Sequence, residues 1–206
     1  IYIYNILIFL SCLLSQESSW SMTITATPPE TTDCSSNLIK LGMCDGCSDS
    51  FTFGEDELEL DSFPWSCYVD IEFLNFDWIG TQYGVPPITI VEPGFSTDIK
   101  SFHHHRDLVA WDINGTSSDL DEGGLIELSW EIEGDLPEDY EVVLYVGDAD
   151  SPSKYDMRAI GNTFLGQDEL EVELISGEYV TNIRVLVGAC AWSGEVQNYY
   201  YDADGD

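Results

Sequence analysis

Positive charge is the scarcest property of this chain. Six Lys and Arg stand against 39 Asp and Glu, so 206 residues carry a formal net charge of -33. Binding to nucleic acid or to an anionic membrane draws on clustered Lys and Arg, and neither partner is expected here. Histidine is also rare. The three that occur are adjacent, at His103, His104 and His105, so a mechanism with a histidine base has one place to find it. The chain also lacks a Gly-x-Ser-x-Gly elbow, a His-Glu-x-x-His helix, a P-loop and a dinucleotide fingerprint, which weakens an enzymatic reading. Beyond Leu14 no apolar run is long enough to span a bilayer, and no membrane insertion is expected.

The opening "IYIYNILIFLSCLLSQESSW" has an apolar centre from Ile6 to Leu14 that yields at once to small and polar residues. That is the length of a signal-peptide h-region, too short to cross a membrane as a helix. Residues 1–15 are read as a signal peptide truncated at its start, with cleavage after Ser15. Lipid attachment at Cys12, or a short buried element, are the alternatives. The hydrophobic content of 44% argues against a disordered chain despite the charge. An acidic surface of this kind attracts divalent cations or suits a salty medium.

Of the six cysteines, Cys12 would leave with the signal. In an exported chain Cys34, Cys44, Cys47 and Cys67 are disulfide candidates, with Cys190 left over and the connectivity open. Four thiolates around zinc, or a redox-active "CDGC", are the competing readings.

Nearly every apolar segment from Leu38 onwards alternates with period two. "VDIEFLNF" places Val69, Ile71, Phe73 and Asn75 on one face, and "LIELSWEI" places Ile126, Leu128, Trp130 and Ile132 opposite a row of Glu and Ser. "YEVVLYVGD", "TNIRVLVGACAW", "LVAWDI" and "STDIKSF" read likewise, apolar inside and charged outside. Gly, Pro, Asn and Asp punctuate the chain, as at "INGTSSDLDEGG" and "EGDLPEDY". The expected fold is all-β, an antiparallel β-sandwich of Ig-like or jelly-roll type. Residues 38–196 form that sandwich, residues 16–37 supply an N-terminal strand and a Thr/Pro-rich linker, and residues 197–206 are expected to start a calcium-repeat segment. Ile126, Leu128, Trp130, Val142, Leu144, Val146, Val185 and Val187 are expected to point inward.

Few side chains single themselves out for chemistry. An extended "SFHHHRD" would put His103 and His105 on one face, able to hold a metal with a nearby carboxylate, or simply lining an exposed turn. Carboxylates are too numerous to discriminate, because a chance pair at the roughly 5 to 9.5 Å that a glycosidase needs is almost assured. Trp65 in "FPWSCY" and Trp192 in "CAWSG" lie in loop-like surroundings and are the candidates for a sugar-binding platform. Trp111 and Trp130 belong to alternating strands and are assigned to the core. "NGT" at Asn114 fits a glycosylation sequon, or marks a turn. The final "DADGD" spaces Asp202, Asp204 and Asp206 at alternate positions around Gly205, as a calcium loop begins, since the chain there wraps the ion and glycine permits the bend. The loop is incomplete, so calcium is expected to bind only with downstream residues; an acidic turn or linker is the competing reading.

The succession "FTFGEDELELDSF", "VDIEFLNF", "FSTDIKSF", "LVAWDI", "IELSWEIEGDLPEDYEVVLYVGD", "YDMRAI" and "VQNYYYDADGD" resembles the β-sandwich modules of large secreted or surface proteins of marine, Bacteroidota-type bacteria. Such modules stand before thrombospondin type 3-like calcium repeats. The resemblance implies a secreted or cell-surface location, no catalytic residues, and Asp202, Asp204 and Asp206 as calcium ligands. A noncatalytic structural or adhesive module is therefore expected, with surface glycans or matrix proteins as partners. A carbohydrate-binding module attached to a secreted hydrolase is the alternative, and a small hydrolase in its own right comes third.

Overall fold

A computed structural model describes residues 19–30, 34–58, 67–83, 86–90, 94–102, 108–118, 124–147, 151–170, 173–175, 178–180 and 183–192. It is built almost wholly of strands. In chain order these are β1 (Ser19–Thr27), β2 (Asn37–Cys44), β3 (Glu57–Leu58), β4 (Tyr68–Leu74), β5 (Gln82–Tyr83), β6 (Ile88–Thr89), β7 (Gly94–Ser101) and β8 (Val109–Ser118). They continue with β9 (Ile126–Gly134), β10 (Glu141–Val146), β11 (Ser153–Asp156), β12 (Asn162–Leu165), β13 (Glu173–Ile175), β14 (Glu178–Val180) and β15 (Ile183–Gly188). A 3-10 turn covers Phe76–Trp78, and one short helix, α1, covers Gln167–Leu170.

One large mixed sheet holds most of them, in the order β11-β10-β15-β8-β4-β7-β2-β1-β9-β12, with β3 added beside β7. Neighbours pair antiparallel except β2 and β7, which run parallel. The all-β expectation holds, whereas the strands form one nearly barrel-like sheet with a parallel pair in place of a wholly antiparallel arrangement. Its two outermost strands, β11 and β12, are consecutive in the chain, so residues 157–161 run from one edge of the sheet to the other. That crossing is fastened from several sides. Trp130 donates its backbone N–H to Gly161 and its indole N–H to the carbonyls of Met157 and Ile160, at 2.8 and 2.9 Å. Arg158 donates to the carbonyls of Pro137 and Tyr140 in the β9–β10 connection.

Alternation decides which residues enter the core. Val69, Ile71 and Phe73 of β4, Ile126 and Leu128 of β9, Val142, Leu144 and Val146 of β10, and Val185 and Val187 of β15 are all buried, as expected. Trp130 is half-buried, because its indole reaches across to the crossing while its ring packs against the core. Trp111 of β8 lies at the centre, edge-on to Trp20 of β1 at 6.1 Å between centroids. A second, small cluster of Val143, Tyr145, Leu186 and Ala191 covers the opposite face of β10 and β15.

Two readings of the sequence change. The sheet begins at Ser19, not at Leu38: β1 buries Trp20, Met22, Ile24 and Ala26 and is paired along its length with both β2 and β9. Its Ser and Thr residues made it look peripheral, but they occupy only the outward positions. The expected joint at Asn114 and Gly115 is also absent, since β8 continues to Ser118 in register with β4. Gly115 serves close packing instead of a turn: a Cβ there would lie 3.0 Å from Cβ of Leu170, which α1 presses against the strand. Asn114 is half-buried in mid-strand and donates to Glu72 at 2.8 Å.

Gly134 ends β9 with φ +83°, and a Cβ on it would stand 2.4 Å from the carbonyl oxygen of Ser19. Both backbone conformation and space demand glycine there. Gly134→Ala is expected to lower the unfolding free energy by about 2 kcal/mol or more, read as a fall in the urea midpoint at unchanged slope.

Candidate functional site

The chain segment "GFSTDIKS" of β7 organises the polar part of the molecule. Phe95 is buried, and simple alternation would carry Thr97 and Ile99 inward with it. Instead the pairing with β3 slips: Glu57 faces Thr97 while Leu58 faces Phe95, leaving Ser96 as the extra residue of a bulge. A bulge of this kind exchanges the two faces of the strand beyond it. Asp98 and Lys100 therefore turn inward as register partners of Leu41 and Met43, while Thr97 and Ile99, beside Lys40 and Gly42, turn outward. The expected apolar-in, charged-out reading of "STDIKSF" is reversed for this reason.

Asp98 is 3% exposed and sits 3.5 Å from the ammonium of Lys100. That ammonium lies over the ring of Trp111, 5.4 Å from its centroid, and the Trp111 indole donates to the Asp98 carbonyl at 3.2 Å. Burial pushes the Asp98 carboxyl above its ordinary range, Lys100 opposes the shift, and Asp49 adds to it. Oδ1 of Asp98 has no hydrogen-bond partner.

Asp56 is the second buried carboxylate. It accepts the backbone N–H of Thr52 at 2.7 Å and that of Ile99 at 3.0 Å, stapling the segment before β3 onto β7. Burial raises its pKa from 3.8 to about 6, the two backbone N–H groups pull it down, and Asp98 and Glu55 push it up. Because the folded value is the higher one, the stabilisation from protonated Asp56 is complete below pH 3.8 and is lost as pH rises through about 6. The difference corresponds to at most about 3 kcal/mol, and solvent screening reduces the share realised. Asp56→Asn cannot ionise, so its stability is expected to change less than wild type between these limits. Parallel urea titrations across that pH range check this, and profiles of identical slope would contradict it.

Asp56 points inward, but Glu55 and Glu57 on either side of it line a trough of about 590 Å³ on the outer face of the sheet. Register explains the floor. One row across the sheet runs Ile99, Gly42, Ser21, Glu133, and the row beside it runs Thr97, Lys40, Thr23, Glu131. Gly42 in the first row is buried against β1, where a Cβ would lie 2.4 Å from the carbonyl of Trp20. Lys40 and Glu133 border the trough along with the hydroxyls of Ser19, Ser21 and Thr97. Sequence reasoning missed this set, because its members come from five strands and one loop and only the bulge brings Thr97 and Ile99 to the outside.

Cys34 bonds to Cys67 and Cys44 to Cys47, with Cα separations of 4.4 and 5.4 Å. All four disulfide candidates are thus engaged, which removes them from a zinc site, and Cys190 belongs to neither bridge. Trp192 is 46% exposed, as its loop setting suggested. Its backbone N–H donates to Glu141 at 2.7 Å and its carbonyl accepts from Lys154 at 3.1 Å. Exposed aromatics also appear elsewhere: Phe53, 73% exposed, stacks on Tyr83 at 5.6 Å. Trp65, the histidines His103 to His105, the terminal Asp202, Asp204 and Asp206, and the signal segment 1–15 lie outside the described residues. Among the described residues no group of three or more His, Cys, Asp or Glu is placed to hold a metal ion, and no helix is long and apolar enough to cross a membrane.

Comparison with protein-family models, with curated proteins and with solved structures returns no match to this chain.

Proposed function

We propose that the chain is a noncatalytic structural or adhesive module of an exported multidomain protein, placed at the cell surface or in the extracellular medium, where it contacts glycans or matrix proteins. The observation that carries this reading is how the buried carboxylates are used. Asp56 spends both oxygens on backbone N–H groups, and Asp98 is paired with Lys100 beneath Trp111. Asp56, a group that a hydrolase would aim at a substrate, here ties the segment before β3 onto β7, and Asp98 faces a lysine of its own strand inside the core. The two disulfides support export, since such bridges persist in oxidising compartments. Calcium enters the proposal through Asp202, Asp204 and Asp206 alone, as the beginning of a loop that further oxygens would complete.

A carbohydrate-binding module of a secreted hydrolase is the second reading, favoured by the polar trough and by the exposed Trp192. The chain immobilised on beads is expected to retain neutral glycans or matrix protein without releasing any soluble fragment of them. Appearance of cleaved product during the incubation would sink the noncatalytic reading.

A further inference from the structure

We propose that the trough on the outer face of β7, β2, β1 and β9 is a binding site for a neutral oligosaccharide. The inference rests on the reading of the chain as a noncatalytic binding module and assigns that module a ligand and a place.

Size comes first. A volume of about 590 Å³ lies within the range of ligand sites and suits a few sugar rings. The floor suits them too. Ile99, an outward apolar side chain of the lining, offers a surface for the C–H face of a ring. Around the floor stand donors and acceptors of both kinds. Lys40 donates only, the carboxylates of Glu55, Glu57 and Glu133 accept only, and the hydroxyls of Ser19, Ser21 and Thr97 do either. A sugar hydroxyl both donates and accepts, so a neutral glycan can satisfy all three classes at once. Phosphate, sulfate or uronic acid ligands would meet three carboxylates against one ammonium, a juxtaposition that selects against them.

The site is also held in shape before a ligand arrives. Asp56, between Glu55 and Glu57, ties the wall to Ile99 in the floor through its bond to the Ile99 N–H. The Cys44–Cys47 bridge closes the turn at the end of β2, where Cys44 borders the trough. Little ordering is left to be done on binding, which is the condition under which a shallow polar site holds a ligand.

Isothermal titration calorimetry on the intact chain tests the assignment, using neutral linear tetrasaccharides of glucose, mannose, galactose and xylose alongside sulfated and uronic acid counterparts. The salt concentration should be about 150 mM, so that the overall charge is screened beyond about 8 Å. At least one neutral tetrasaccharide is expected to bind and the anionic ones are not. Lys40→Ala and Glu133→Gln should each weaken binding roughly tenfold or more, as loss of a hydrogen bond to a charged group does. Ser21→Tyr, which fills the floor from an outward position, should abolish it. Glu127→Gln, the same charge change on an outward position of β9 away from the trough, should leave affinity unchanged, and an unchanged thermal midpoint confirms that each variant folds. Binding that survives Lys40→Ala, Glu133→Gln and Ser21→Tyr would overturn the trough while leaving the module reading intact. Preference for an anionic glycan, or no neutral glycan bound, would overturn it as well. Cleavage of a bound tetrasaccharide would overturn the noncatalytic reading instead.

Discussion

Trp111→Ala is expected to cost about 3 to 5 kcal/mol of unfolding free energy, at the upper end of that interval. The ring is 1% exposed and lies edge-on to Trp20. Its removal opens a cavity at the centre of the core and takes the indole donor from the Asp98 carbonyl and the aromatic face from Lys100. A buried ion pair then loses its cover, which adds a desolvation cost to the cavity. Trp111→Phe separates these contributions. It keeps much of the packing and gives up the N–H donor, so a loss nearer 1 to 2 kcal/mol is expected. Urea unfolding of the three proteins measures both steps, and a Trp111→Ala loss below about 1 kcal/mol would show that the core is not organised around this residue.

Removing the Cys34–Cys67 bridge by paired substitution to alanine is expected to cost about 4 kcal/mol, and removing Cys44–Cys47 about 2 kcal/mol. The difference follows from the chain each bridge closes, 33 residues of sequence separation in the first case and three in the second. Loop-closure entropy grows with the logarithm of that length. The longer bridge also fixes a local ladder: Ser35 donates to the Cys67 carbonyl and Val69 donates to the Ser35 carbonyl, both at 3.1 Å. Its loss should fray the start of β4, whereas loss of the short bridge should be felt only at the turn after β2. Comparable losses for the two variants would show that local packing, and not chain closure, sets their worth.

Strand faces were legible in the sequence wherever one side was apolar and the other charged. "LIELSWEI" shows this plainly, since a slip of one residue would have turned Ile126 and Leu128 into the solvent, whereas the second buried face of "YEVVLYV", with Val143 and Tyr145, was not expected. Two things in β7 were not legible. Its parallel partnership with β2 joins segments far apart in the chain, and alternation within a strand carries no information about which strand lies beside it. The bulge at Ser96 is set by the pairing with β3, a strand of two residues that has no periodicity to detect. Because the bulge fixes which way Asp98 and Ile99 point, the buried carboxylates and the trough both escaped a reading of the sequence. Asp56 escaped for a different reason. Among 39 acids nothing marks the one whose oxygens meet two backbone N–H groups. Asn114 and Gly115 misled in the other direction, because the dipeptide that makes a tight turn also supplies a missing Cβ where Leu170 needs room.

The place of β1 inside the sheet has a mechanical meaning. From Ser19 to Ala26 it has a register partner in β2 at every residue, and from Trp20 to Thr27 it has one in β9. Tension pulling on Ser19 along the strand axis would load both ladders in shear, so that many hydrogen bonds resist together. Tension on β12, bonded on one flank through only four residues, would peel its bonds one after another. Survival under force is governed by the unfolding rate. A module with this geometry would hold fast when pulled from the β1 side and yield first at β12, so the direction of pull would decide where the fold gives way.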